Sequence, residues 1–74
     1  MKLPRNIPGL EAVKILTKYY EWTIHRRQGS HITLKKENEK DIITIPYHKE
    51  LDKGTLLAIL RKAKIDKDDF INKL

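Results

Sequence analysis

The sequence predicts a two-layer α+β domain: three antiparallel strands with helices on one face, in the order α-β-β-β-α, closed by a short C-terminal helix. Two observations carry this. Apolar residues recur at helical spacing from Gly9 to Tyr20 and again after Asp52. Between those stretches the pattern changes three times to period two, the spacing of a strand with one buried face. A chain of 74 residues has room for one small domain, spanning 1–74.

Residues 1–8 hold two prolines and read as an extended lead-in, with Pro8 suited to a first helical turn. In the first helix Leu10, Val13, Leu16 and Tyr20 form a stripe that Ala12, Ile15 and Tyr19 widen. Trp22 to Arg26 is the first strand, with Trp22 and Ile24 on one side and Thr23 and His25 on the other. In the second, Ser30 to Lys35, Ile32 and Leu34 oppose His31 and Thr33. Residues 36–41 are charged or Asn and read as a solvated turn. The third strand, Ile42 to Tyr47, has Ile43 and Ile45 as core positions and Pro46 at its end or on an edge. Asp52 caps a second helix whose apolar face is Leu56, Ile59, Leu60 and Ala63. Asp66 and Asp69 resemble a capping box opening a last helix that uses Phe70 and Leu74.

The first hairpin's register follows from face segregation. A two-residue loop, Gln28-Gly29, mixes apolar and polar residues on both faces. A three-residue loop, Arg27-Gln28-Gly29, pairs Ile24 with Ile32, Trp22 with Leu34, Thr23 with Thr33 and His25 with His31, and a slip by one residue would invert every side chain. Gly29 supplies the left-handed turn residue. In this register Thr23, His25, His31, Thr33 and Lys35 share the open face. His25 and His31 are then neighbours that together favour an anion such as a phosphodiester.

Charge narrows the partner. The net charge is +6, which favours a polyanionic or acidic partner. From His25 to Lys36 there are four cations (Arg26, Arg27, Lys35 and Lys36) and no acid. The absence of cysteine excludes disulfides and thiolate metal sites and fits a reducing compartment. No apolar run reaches the ~18 residues of a membrane span, and Met1–Arg5 lacks an apolar signal core, so the expected setting is cytoplasmic. The three histidines are six and seventeen residues apart, without a short ligand pair, so neither a metal site nor a cofactor is expected.

Gly29-Ser30-His31 is the candidate catalytic element, since histidine is the side chain that exchanges protons near neutrality. His31 on a basic open face suits a general base that takes a proton from a ribose 2′-hydroxyl. His25 and Ser30 are candidates for assistance, and Arg27, Lys35 and Lys53 for phosphate contact. Arg26 is read as anchoring the hairpin edge. His48, before the second helix, reads as a partner for a turn or helix end rather than as a catalyst.

These residues bring the chain close to a known family. It resembles the HicA-type toxins, small ribonucleases of bacterial and archaeal toxin–antitoxin pairs. The resemblance runs through Leu3-Pro4, Glu11-Ala12-Val13, Arg26-Arg27-Gln28-Gly29-Ser30-His31, Pro46-Tyr47-His48-Lys49-Glu50-Leu51, Lys53-Gly54-Thr55-Leu56, Ile59-Leu60-Arg61 and Asp68-Asp69-Phe70. It implies a double-stranded-RNA-binding-domain-like fold, metal-independent cleavage of mRNA, a catalytic role for His31 and a HicB-like antitoxin that covers the active site. Two positions depart from the pattern: Glu21 before Trp22 and Lys64 before Ile65 stand where many relatives have glycine. A monomer is the expected state of the chain alone. The competing readings are a noncatalytic RNA-binding module, with salt-sensitive binding and no products, and a protein-interaction domain whose basic face meets an acidic partner.

Overall fold

The computed structural model describes residues 6–74. The expectations for Met1–Arg5, including the Leu3-Pro4 match, fall outside the described residues. The order is β1 (Asn6–Pro8), α1 (Gly9–Tyr19), β2 (Thr23–Gln28), β3 (His31–Lys35), β4 (Ile43–Pro46), β5 (Glu50–Asp52), α2 (Lys53–Ala63) and α3 (Lys67–Ile71). The fold is α+β, with the expected α-β-β-β-α order as its body, and is consistent with a double-stranded-RNA-binding-domain-like arrangement. Strands β2, β3 and β4 form one antiparallel sheet with β3 in the centre.

The lead-in does more than extend. Its residues Asn6–Pro8 form β1, which pairs antiparallel with β5 in a second, two-stranded sheet, with Ile7 opposite Leu51. Pro8 is the N-cap of α1 and Gly9 its first residue, one position later than expected. A Cβ on Gly9 would stand 2.4 Å from the Pro46 carbonyl oxygen and 2.8 Å from the Tyr47 Cα. The missing side chain therefore lets the start of α1 lie directly on the end of β4. The Gly9 N–H also donates to the Lys49 carbonyl oxygen at 2.8 Å.

The core lies between the three-stranded sheet and the helices. Ile32, Leu34, Ile43 and Ile45 from the sheet are buried against Ala12, Val13, Ile15 and Leu16 of α1 and the expected face of α2, Leu56, Ile59, Leu60 and Ala63. Trp22 and Phe70 join them. Four expected apolar-face positions are exposed: Leu10, Tyr19, Ile24 and Leu74, with Tyr19 at the last residue of α1 and Leu74 beyond the end of α3 at Ile71. Leu10 is 43 % exposed because the stripe of α1 is centred on Ala12, Val13 and Leu16. Ile24 is 48 % exposed although its partner Leu34 is buried, since β2 is an edge strand with a neighbour on one side only.

Both long helices are followed by a left-handed residue, directly after the last helical residue in α2 and one position later in α1. Glu21 has φ 64° and Lys64 has φ 60°, in the left-handed region. Beyond them the Trp22 N–H donates to the Leu16 carbonyl (3.2 Å) and the Ile65 N–H to the Leu60 carbonyl (2.9 Å). The Ile65 bond is the six-to-one bond of a Schellman ending and the Trp22 bond spans one residue more; each reverses the chain and brings an apolar residue back onto the core. Glycine would take this conformation without steric cost. The two departures from the family pattern therefore fall where the backbone is left-handed. The N-caps are as expected: Asp52 accepts from the Thr55 N–H (2.7 Å) and Asp66 from the Asp69 N–H (3.2 Å). The Asp69 carboxylate does not complete a capping box; it accepts from the Tyr20 hydroxyl and from Lys73 Nζ.

Candidate active site

Gly29 and Ser30 form a two-residue turn between β2 and β3, since Gln28 pairs with His31. Gly29 has φ +60° and Ser30 is not among the positive-φ residues, the φ pattern of a type II′ turn, which favours glycine first. This corrects the three-residue loop and its register. Arg27 pairs with Ile32, Arg26 with Thr33, Ile24 with Leu34 and Thr23 with Lys35; a β-bulge leaves His25 without a partner in the ladder. The expected pair of His25 with His31 does not form.

The bulge is a feature that neither uninterrupted register contains. The turn at Gly29-Ser30 places Arg27 across from buried Ile32. Continued without interruption, that phase would point Trp22 at solvent. One extra residue re-phases the strand, so the tight turn and a buried Trp22 coexist.

Cross-strand partners share a face, so the register assigns each candidate its place. His31 begins the central strand, exposed, between Gln28 on β2 and Pro46 on β4. Thr33, Lys35, Arg26 and Thr44 share this open face. Lys35 is four residues along β3 from His31, about 13 Å at the usual strand rise. Arg27 lies on the other face, its guanidinium over the Tyr47 ring at 5.8 Å. Lys53 opens α2 directly after β5, a strand of the two-stranded sheet and not of the sheet that carries His31. The Ser30 Oγ stands 3.5 Å from His31 Nδ1, a long contact whose direction depends on the imidazole tautomer.

The turn before His31 is held from below. The Tyr47 N–H donates to the Ser30 carbonyl (3.0 Å), and the Tyr47 hydroxyl reaches the Gly29 carbonyl (3.5 Å). His48 packs its ring against Tyr47, centroids 4.0 Å apart and planes tilted by 38°. Its imidazole makes no hydrogen bond to a turn or helix end among the described residues. Sequence reasoning missed Tyr47. Its one signal was an aromatic residue directly after the proline that ends the edge strand.

The Gly-Ser-His turn, an exposed histidine at the head of the central strand and the Pro-x-His segment beside it form one connected unit. A family model described as the HicA toxin of bacterial toxin–antitoxin matches residues 9–65. The chain belongs to the HicA toxin family. No curated protein and no solved structure matches it. Membership assigns this HicA chain the toxin role and an antitoxin as partner. The matched span runs from the glycine that seats α1 on Tyr47 to Ile65, just past the left-handed exit of α2.

Among the described residues of this HicA domain, no three His, Cys, Asp or Glu side chains gather as a metal site would require. No described helix is long and apolar enough to cross a membrane.

Proposed function

We propose that this HicA chain is a metal-independent endoribonuclease that cleaves mRNA, with His31 as the general base. The observation that carries this reading is the placement of His31: exposed, on a rigid central strand, and sharing its face with Arg26 and Lys35. Neutral His31 takes the proton of a ribose 2′-hydroxyl. The 2′-oxygen bonds to the adjacent phosphorus as the bond to the 5′-oxygen breaks, leaving a 2′,3′-cyclic phosphate and a 5′-hydroxyl. A protonated group or water supplies the proton to the leaving oxygen. Arg26, across from Thr33, stabilises the charge that builds on the phosphoryl oxygens, Lys35 meets a phosphate further along the strand, and the Ser30 hydroxyl orients the imidazole. Arg27 and Lys53 meet the RNA only where it continues beyond the open face. His25, displaced by the bulge, is a weaker candidate for the acid than opposition to His31 would have made it. A HicB-like antitoxin inhibits by covering this face.

The test compares wild type and His31→Ala on one RNA, scoring products and binding together. Loss of a single general base costs about 10²–10⁴ in rate, so the variant should lose cleavage while keeping its fold and affinity. Retained cleavage removes His31 from the mechanism. Cleavage of an all-DNA analogue rules out 2′-hydroxyl attack. Salt-sensitive binding by wild type without products supports the noncatalytic RNA-binding module instead.

A further inference from the structure

Arg27, Tyr47 and His48 form a cluster that the proposed chemistry at His31 does not use. Tyr47 is half-buried and packs against the core, and its backbone and hydroxyl both engage the Gly29-Ser30 turn. Its ring is thus fixed before any ligand arrives. His48 is exposed and lies on that ring at a centroid distance of 4.0 Å. Packing of the core accounts for Tyr47 but not for an exposed imidazole packed against its ring at a tilt of 38°. The Arg27 guanidinium over the same ring brings positive charge to the cluster.

The cluster's position relative to His31 gives it a use. Pro46, the residue before Tyr47, is the cross-strand partner of His31, which sets their Cβ atoms about 5 Å apart. Tyr47 follows Pro46 and its ring lies with Arg27 on the opposite face, so a chain that leaves the open face and crosses this end of the sheet reaches the Tyr47–His48 pair. An exposed aromatic on a fixed aromatic base, with a cation alongside, is how proteins hold unpaired bases: each base offers a π-face, and stacking is tolerant of sequence. A base paired in a duplex has no free face to give.

We propose that the Tyr47–His48 ring pair is a base-stacking subsite for single-stranded RNA, holding a nucleobase next to the phosphate addressed by His31. The proposal rests on the ribonuclease reading for its role in turnover, and it adds the substrate class, an unpaired strand. His48 supplies the stacking face, Tyr47 the fixed support and Arg27 charge for the phosphate that follows. His48 is a binding residue in this scheme and takes no proton from the reacting atoms.

The test uses full-length His31→Ala and a short single-stranded RNA in which 2-aminopurine replaces each base in turn. Binding should quench the fluorophore severalfold at one position or two adjacent ones. His48→Ala should abolish that quench and weaken binding on the order of 10-fold. His48→Phe should keep both, and His48→Lys, with charge but no ring, should lose the quench. On the wild-type background His48→Ala should raise KM for single-stranded RNA and leave kcat within a few-fold. Unchanged quenching and KM in His48→Ala overturn the subsite, as does equal affinity for a duplex of the same sequence. A positional quench that depends on the His48 ring, in a protein that yields no products, supports the subsite and overturns the ribonuclease reading. His48 is exposed, so thermal melts of all three variants should match the parent's.

Discussion

Arg26 lies directly across from Thr33, on the face of the sheet that carries His31. The β-bulge at His25 keeps it there while Trp22 remains buried. On the proposed function, an exposed arginine in this position contacts phosphate without reading sequence. Arg26→Ala should weaken RNA binding about equally across sequences and lower the slope of log affinity against log salt by about 1. An unchanged slope would remove Arg26 from the interface.

Gly9 sets how closely α1 approaches the segment that supports the Gly-Ser-His turn. In Gly9→Ala the new methyl would meet backbone, the Pro46 carbonyl oxygen and the Tyr47 Cα, rather than a side chain able to swing aside. Overpacking of this kind costs about 1–3 kcal/mol. Denaturant melts should show that loss, and cleavage should fall as well, because Tyr47 moves with the strain. Full activity with wild-type stability would mean that α1 shifts freely.

Glu21 and Lys64 occupy left-handed conformations that non-glycine L-residues adopt at a cost of about 1 kcal/mol. Glu21→Gly and Lys64→Gly should each stabilise the chain by roughly 0.5–1 kcal/mol, less the greater freedom of glycine in the unfolded state. Lys64 also contributes an exposed ion pair with Glu39 at 3.4 Å, and such pairs are worth little. The midpoint of urea unfolding reads the effect directly. Destabilisation by both changes would show that the helix exits are not strained.

Tyr20, at the end of α1, donates its hydroxyl to the Asp69 carboxylate on α3. Burial, followed by this bond and the nearby Asp69 charge, pushes the phenol up to about 12. The Tyr20 bond, then Lys73, holds the Asp69 carboxyl below its ordinary value. The two shifts act at opposite ends of the pH scale. The phenol's contribution is complete below its unfolded value of about 10 and is lost as pH rises through about 12. The carboxylate's is complete above its unfolded value of about 3.9 and is lost as pH falls below it. Tyr20→Phe should therefore lower the melting temperature most between about pH 4 and pH 10, with the gap to wild type closing on either side. A gap independent of pH would mean that the ring's packing, and not its hydroxyl, holds α3.

The periodicity of apolar residues located both long helices, the second and third strands and the caps at Asp52 and Asp66, because those features depend on residues close in sequence. Gly29 marked the turn before His31 for the same reason, and the Gly-Ser-His and Pro-x-His segments carried the family resemblance. The pairing of β1 with β5 was not legible: three residues with two prolines nearby carry no strand signal until a partner satisfies them. Nor was the bulge, since face segregation alone ranks only uninterrupted ladders, and an extra residue is favoured here by a demand made elsewhere, the burial of Trp22.

The sequence by itself determined the α+β class, most of the core and the exposure of His31, through local spacing and the alternation of strands. Only the tertiary structure decided which side chains share a face with that histidine. It moved His25 out of the ladder, placed Arg26 on the open face, turned Arg27 toward Tyr47 and set the Tyr47–His48 stack against the turn. The physical reason is that a single inserted residue changes the phase of a strand, and the free energy that fixes the phase belongs to the whole core rather than to the strand.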